Sequence, residues 1–179
     1  MTFNCLIAGI GGQGIVLASK LIAAAAINRG YEVRTTETIG MAQRGGSVVS
    51  HIRIGPEVFS PMIPLASADI LISFDPTEAV RQLPYLSAKG KLLTYNGASA
   101  MMEFIEKNVP GAVIIFDESL KDKYARMMNV ALLGAASQSI DFPFGTEALF
   151  EVISEMTRYR EENIEAFEIG KKLYYASIR

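Results

Sequence analysis

The chain has 179 residues, half of them apolar, with 17 basic and 19 acidic side chains and a formal net charge of −2. This length and composition favour a single domain over residues 1–179 with a sizeable core. No block of basic residues forms the electrostatic footprint typical of nucleic-acid binding. One cysteine and one histidine exclude a disulfide framework and a His/Cys metal centre within this chain.

The apolar runs are too short to span a bilayer. The most apolar one, residues 15–27, is interrupted by Ser19 and Lys20. The N-terminus has no basic region ahead of its first apolar run, unlike a signal peptide. We therefore expect a cytoplasmic protein that binds neither membranes nor nucleic acid.

The N-terminal segment is a β-favouring run that breaks into glycines and continues as an apolar helix. A strand is predicted over residues 3–9 and a helix from about residue 12 to residue 28, closing near Gly30. Apolar residues surround almost the whole helix, so we expect it to be buried against the sheet and a partner surface.

Strands and helices then alternate. A second strand is predicted over residues 31–36, and residues 47–54 alternate so that Ser47, Val49, His51 and Arg53 share a face. Asp75 is predicted to cap a helix. Pro76 suits its first helical position. The other predicted elements are strands at 69–74, 91–95 and 112–116 and helices at 99–107, 130–138, 146–156 and 161–177.

This order of elements predicts an α/β fold. Alternation early in the chain, followed by helices alone, implies a mostly parallel sheet covered on both faces. We expect a Rossmann-like three-layer sandwich with a helical C-terminal part. Residues 47–54 are expected to add an antiparallel strand or hairpin.

The first glycine turn fits the G-x-G-x-x-G spacing at Gly9, Gly11 and Gly14. The first glycine would permit the turn, the second would let a group approach the backbone, and the third would let the helix pack on the strand. Three interpretations are open: a dinucleotide site with Glu37 on the ribose, a purely structural turn, or part of a site shared with another subunit.

A second polar loop, residues 36–47, contains one guanidinium and three glycines. If the sheet is parallel here, this loop leaves the same carboxyl edge as the first glycine turn, where open α/β sheets bind ligands. The fork of Arg44 suits a carboxylate or phosphate. Gly45 and Gly46 would permit close approach of a ligand or a neighbouring chain. A mobile surface loop with an incidental arginine is the alternative.

Other conspicuous residues have ordinary explanations. His51 is the only histidine, and an interface or solvated strand position is favoured over acid–base chemistry. Cys5 is expected to pack in the core rather than react. Gly170 inside the last helix costs about 1 kcal/mol relative to alanine, and close helix contact would be a reason to keep it.

The two loops together carry a family resemblance. The segment Gly9-x-Gly11-Gly12-Gln13-Gly14, followed by ETIGMAQRGG at 37–46, resembles the gamma-type subunit of the 2-oxoacid:ferredoxin oxidoreductases. The MAQRGG form is most similar to the beta subunit of the indolepyruvate:ferredoxin oxidoreductases. The match continues through SHxRxG at 50–55, SPxIP at 60–64, DPxEA at 75–79, NVxxLG at 129–134 and NIEAFxxG at 163–170.

The resemblance implies an oxidoreductase subunit that is inactive alone. Such enzymes oxidatively decarboxylate a 2-oxo acid, here expected to be indolepyruvate or another aryl pyruvate. Coenzyme A is the co-substrate, and the products are an acyl-CoA, carbon dioxide and reduced ferredoxin. Thiamine diphosphate, magnesium and the iron–sulfur clusters belong to the large partner subunit, through which ferredoxin is engaged indirectly. The single cysteine agrees independently, because clusters need several.

Arg44 is the leading candidate contributor to a shared site, facing the substrate carboxylate, coenzyme A or a partner surface. Glu37 is the second candidate, either bonding across the site or holding its loop. The loops that would face coenzyme A or the partner contain Gly9, Gly11, Gly12, Gln13, Gly14, Gly45 and Gly46. No metal ligands are expected, and the isolated chain could form a homodimer. The alternatives are a self-standing nucleotide-binding dehydrogenase and a non-catalytic assembly module.

Overall fold

The computed structural model describes residues 2–40, 45–109, 113–115, 126–140 and 142–177. The described strands form one sheet in the order β2-β3-β1-β4-β5-β6. They are β1 Phe3–Ile10, β2 Glu32–Ile39, β3 Ser47–Gly55, β4 Ala68–Ser73, β5 Leu86–Tyr95 and β6 Val113–Ile115. The strands β1, β4, β5 and β6 are parallel neighbours, whereas β3 runs antiparallel to β1 and β2. The predicted antiparallel addition is therefore confirmed.

Helices cover both faces of the sheet. They are α1 Ile15–Asn28, α2 Pro76–Gln82, α3 Ser99–Asn108, α4 Met128–Ser139, α5 Gly145–Met156 and α6 Arg160–Ser177. One core cluster packs α1, α4, α5 and α6 on one face, and a second packs α2 and α3 on the other. The predicted three-layer α/β class is confirmed. None of the described helices has both the length and the apolar character needed to cross a membrane.

Three element boundaries differ from prediction by three residues or more. Helix α1 begins at Ile15 rather than residue 12, because Gly12 and Gly14 have φ angles of 100° and 81°, outside the helical region. Strand β2 extends to Ile39 rather than residue 36, since it stays paired with β3 as far as Val48. Strand β5 begins at Leu86, which pairs with Ala68 ahead of a register shift.

The helical layer contains a backbone-to-backbone crossing of α4 and α6. A Cβ added at Gly134 would overlap the carbonyl oxygen of Phe167, and a Cβ added at Gly170 would overlap that of Ala131. Each helix thus contributes a glycine against the backbone of the other. The close contact anticipated at Gly170 is confirmed.

The opposite face carries a connection without regular structure, residues 56–67, between β3 and β4. Side chains of β2 and β3 hold its backbone. Val58 N donates to Glu32 Oε2 at 3.1 Å, Val58 O accepts from Arg34 Nε at 3.1 Å, and Ile63 N donates to His51 Nδ1 at 3.3 Å. We refer to this connection as the tethered segment.

The tethered segment corrects the interpretation of His51. His51 is buried, with its ring edge-on to Tyr85 at a centroid distance of 5.3 Å. The expectation of a solvated or interface position is wrong, because Ile63 lies over the strand face to which His51 belongs. Burial also lowers the pKa of His51, since desolvation disfavours the imidazolium.

Candidate functional site

The two glycine loops meet at the carboxyl edge of the sheet. Gly11 N donates to Gly46 O at 2.9 Å, and Gly40 N donates to Ser47 O at 2.8 Å. A Cβ on Gly11 would lie 3.6 Å from Gly46 O. The group that approaches Gly11 is therefore the backbone of the second loop. We call this junction of Gly11, Gly40, Gly46 and Ser47 the glycine edge.

Gln13 lies at the topological switch point of the sheet. The chain leaves β1 for α1 on one face and leaves β4 for α2 on the other, which opens a crevice between the two strand ends. Gln13 spans the crevice, since its Oε1 accepts from Ile10 N at 2.7 Å and its Nε2 donates to Phe74 O at 3.3 Å. The side chain that was expected to be an adaptable donor and acceptor thus bonds to the last residue of β1 and to the residue that follows β4.

Three backbone amides of the first glycine turn are engaged in hydrogen bonds within the chain. In a G-x-G-x-x-G turn the pyrophosphate is bound by free amides at the helix start. Here Ile10 N donates to Gln13, Gly11 N donates to Gly46 O, and Gln13 N donates to Ile10 O at 3.1 Å. The amides of the turn thus join the two loops, whereas α1 itself begins two residues after Gln13, at Ile15.

Gly9 and Gly14 have different roles from those predicted. Gly9 lies within β1, opposite Val48, and a Cβ there would come within 2.6 Å of Gln13 Oε1. Gly14 has a left-handed φ, and a Cβ there would overlap the side chain of Asn129 at the start of α4. The third glycine thus makes room for a helix side chain instead of the neighbouring strand.

The two leading candidate residues have different outcomes. Arg44 lies outside the described residues, between Gly40 and Gly45. Glu37 is an exposed residue within β2, paired with Ser50, rather than part of the loop. Three ladder positions separate it from the Gly40–Ser47 bond, which is about 10 Å at 3.3 Å per residue. The structure does not place the Glu37 backbone at the glycine edge.

Sequence reasoning missed Ser47 and Glu78 as site residues. Ser47 Oγ donates to Glu78 Oε2 at 2.6 Å, and Arg81 Nη1 donates to Glu78 Oε1 at 2.7 Å. Glu78 is buried although it is charged. The sequence offered one indication of Glu78. It is the third residue after Asp75, the predicted helix cap, and it belongs to the DPxEA motif at 75–79.

Asp75 and Cys5 behave as expected. Asp75 Oδ1 accepts from Thr77 N at 2.8 Å and from Glu78 N at 3.2 Å, which confirms the helix cap. Cys5 is fully buried in β1, and this burial raises the pKa of its thiol, so the reactive thiolate is disfavoured. Within the described ranges, no group of three or more His, Cys, Asp or Glu side chains is arranged to hold a metal ion.

A solved structure shares the fold of this chain. The chain superposes with a TM-score of 0.72 on a keto/oxoacid ferredoxin oxidoreductase gamma subunit from Geobacter sulfurreducens, at 22% identity, covering 97% of this chain and 99% of that one. This likeness shows that the fold is that of a gamma-type subunit.

The particular family follows from the sequence comparisons. The family model for pyruvate ferredoxin/flavodoxin oxidoreductase matches residues 4–173, and the chain belongs to that family. It is 37% identical to indolepyruvate oxidoreductase subunit IorB of Thermococcus kodakarensis and 35% identical to that of Pyrococcus horikoshii, over 95% of this chain and of each relative. The resemblance stated from the motifs is confirmed.

Proposed function

We propose that this chain is the small, gamma-type subunit of a 2-oxoacid:ferredoxin oxidoreductase and that residues 1–179 act as one domain. The enzyme would oxidise indolepyruvate or another aryl pyruvate with coenzyme A, releasing carbon dioxide and an acyl-CoA and reducing ferredoxin. The observation that carries the proposal is the full-length similarity to indolepyruvate oxidoreductase subunits. In addition, the hydrogen bond from Gly11 N to Gly46 O joins the two glycine-containing motifs at one edge of the sheet.

The redox groups would reside in a companion chain. One cysteine cannot supply the ligands of an iron–sulfur cluster. By the family resemblance, thiamine diphosphate, magnesium and the clusters would be held by the large subunit, where they would supply decarboxylation and electron transfer. This chain would contribute the glycine edge, with Gly9, Gly12, Gln13, Gly14 and Gly45 beside it, to a site shared with that subunit or with coenzyme A.

Arg44 is proposed as the anion-binding group of the shared site. It belongs to the loop whose two ends are joined by the Gly40–Ser47 bond, next to the Gly11–Gly46 bond. A guanidinium presents a planar fork that binds a carboxylate or phosphate through two parallel hydrogen bonds. Glu37, three ladder positions away on β2, would support the loop rather than contact substrate.

The test is turnover of the assembled enzyme. The chain is produced together with the large thiamine diphosphate and iron–sulfur subunit, and indolepyruvate-dependent reduction of a viologen dye is measured with coenzyme A. Arg44→Gln should lower kcat/KM by about 100-fold, as expected for loss of a charged hydrogen bond at a site. The complex should still elute intact from a sizing column.

Arg29→Gln is the matched control, because Arg29 is an exposed arginine at the C-terminal end of α1 whose partner is Glu151. It should leave turnover unchanged. Full activity of the Arg44→Gln complex would support a non-catalytic assembly role instead. Turnover by the isolated chain would refute the subunit proposal.

A further inference from the structure

Glu78 is a buried carboxylate with two chemically different hydrogen-bond donors. Its side chain is 4% exposed, whereas that of Arg81 is 62% exposed. Oε2 accepts from the hydroxyl of Ser47, at the start of β3, and Oε1 accepts from Arg81 on its own helix. A buried charge needs such partners to offset its desolvation. The Ser47 and Arg81 bonds can therefore be removed separately.

Helix capping does not account for Glu78. It stands third in α2, where a glutamate commonly turns back to the backbone N–H of the capping residue. Here Asp75 caps the helix through Thr77 N and Glu78 N, while the Glu78 carboxylate is directed to Ser47. The side chain therefore ties α2 to another part of the fold.

That part is the glycine edge. Ser47 follows Gly46, whose carbonyl accepts from Gly11 N, and the Ser47 carbonyl accepts from Gly40 N. Glycine has more conformational freedom than other residues, so Gly45 and Gly46 alone define this backbone poorly. A hydroxyl-to-carboxylate hydrogen bond is charge-assisted and about twice as strong as a neutral one. Anchoring Ser47 therefore anchors both backbone bonds of the edge.

We propose that Glu78 is a positioning residue: through Ser47 it holds Gly46 against Gly11 and keeps the glycine edge in its working form. Arg81 balances the buried charge but does not transmit this effect. The activity readout rests on the proposed function of the chain. The structural readout, exchange of the Gly11 amide, can be measured on the full chain by itself.

Five variants separate the two bonds. Ser47→Ala and Glu78→Leu remove the bond to Ser47, and Leu keeps a side chain of similar size. Arg81→Gln and Glu78→Gln remove the ion pair but leave an acceptor for the Ser47 hydroxyl. Ser47→Thr retains the hydroxyl and is the conservative rescue.

Ser47→Ala and Glu78→Leu should lower kcat of the assembled oxidoreductase by about tenfold or more. They should also speed hydrogen exchange of the Gly11 amide by about tenfold or more in the full chain, because its acceptor is no longer held. Arg81→Gln and Ser47→Thr should stay within about threefold of the parent in both measurements, whereas Glu78→Gln, which offers Ser47 only a neutral acceptor, should fall between these two and Glu78→Leu. Complex formation should be unchanged throughout.

Each alternative gives a different pattern. If Arg81→Gln matches Glu78→Leu, charge balance within α2 explains Glu78 and the proposal is overturned. If Gly11 exchange or kcat is the same in all five variants of an active complex, the proposal also fails. If the wild-type complex is inactive with every 2-oxo acid, the proposed function fails, while the exchange pattern still decides whether Glu78 holds the edge.

Discussion

The two faces of the sheet hold their outer layers by different means. On one face, α4 and α6 meet backbone to backbone at Gly134 and Gly170, within an apolar cluster. On the other, α2 and α3 pack through a second apolar cluster, but the tethered segment has no helix or strand, and charged or polar side chains of β2 and β3 bond to its backbone. The tethered segment buries Val58 and Ile63, and side-chain hydrogen bonds to its backbone hold it in addition.

This difference separates two kinds of sensitivity. Overlap between buried backbones cannot be relieved by rotating a side chain. We therefore expect the face covered by α1, α4, α5 and α6, here called the helical face, to be intolerant of added volume. The opposite face, here called the tethered face, includes the bond from Ile63 N to the imidazole of His51. The stability of this face should therefore depend on pH. Three measurements can break or sharpen this contrast.

The largest effect is expected from Gly170→Ala. The new methyl would overlap the carbonyl of Ala131, and no smaller residue at 131 would remove that backbone oxygen. We expect a loss of about 3 kcal/mol or more in the free energy of unfolding, at the upper end of overpacking costs. This loss should appear although alanine favours a helix by about 1 kcal/mol. Urea unfolding followed by circular dichroism measures it.

The control for Gly170→Ala is an exposed position of the same helix. Lys172→Ala should be more stable than Lys172→Gly by about 1 kcal/mol, the ordinary propensity difference. Lys172 is exposed, so no packing change enters the comparison. A stabilising Gly170→Ala would mean that the crossing of α4 and α6 is looser than described.

The sequence could predict much of the fold because local patterns determine it. Alternation over residues 47–54 identified β3, and Asp75 with Pro76 marked the start of α2, as the structure has them. Family motifs anticipated the gamma-type fold. The end of β2 was missed because Glu37 and Thr38 are polar, and only pairing with β3 keeps them in a strand.

The site could be predicted only in outline. Gly11 and Gly46 were expected at one edge, but their hydrogen bond joins residues far apart in sequence and leaves no periodic pattern. The Ser47–Glu78 bond spans 31 residues for the same reason. His51 lay on a recognisable strand face, yet its burial depends on Ile63, twelve residues later. The spacing of residues in the sequence therefore could not predict contacts between segments that are far apart in the chain.

The second expected effect is acid sensitivity of the tethered face. Nδ1 of neutral His51 accepts from Ile63 N, and a protonated ring cannot. Burial lowers the pKa of His51 in the folded chain, so the unfolded chain binds the proton more readily. Stability is therefore full above the ordinary histidine pKa near 6.5 and falls as pH drops below it.

His51→Asn tests this pH dependence, because its side-chain oxygen can accept near the Nδ1 position without titrating. Each protein is compared with itself at pH 7, since the smaller side chain also loses packing. Between pH 7 and 5, the unfolding midpoint of the parent should fall by about 2–4 °C more than that of the variant, corresponding to about 1 kcal/mol. His51 is the only histidine, so parallel curves would remove it as the cause.

The smallest effect is expected from an exposed ion pair on the helical face. Arg29 Nη2 lies 3.0 Å from Glu151 Oε2 and joins the end of α1 to α5, with the side chains 40% and 53% exposed. A double-mutant cycle with Arg29→Gln and Glu151→Gln should give a coupling energy of about 0.2–0.5 kcal/mol, decreasing with added salt. Such a value would show that this face is held by its backbone crossing and apolar cluster. A coupling above about 1 kcal/mol, unchanged in high salt, would exceed the range of exposed pairs. It would mean that the helical face also relies on polar ties, and the contrast between the two faces would no longer hold.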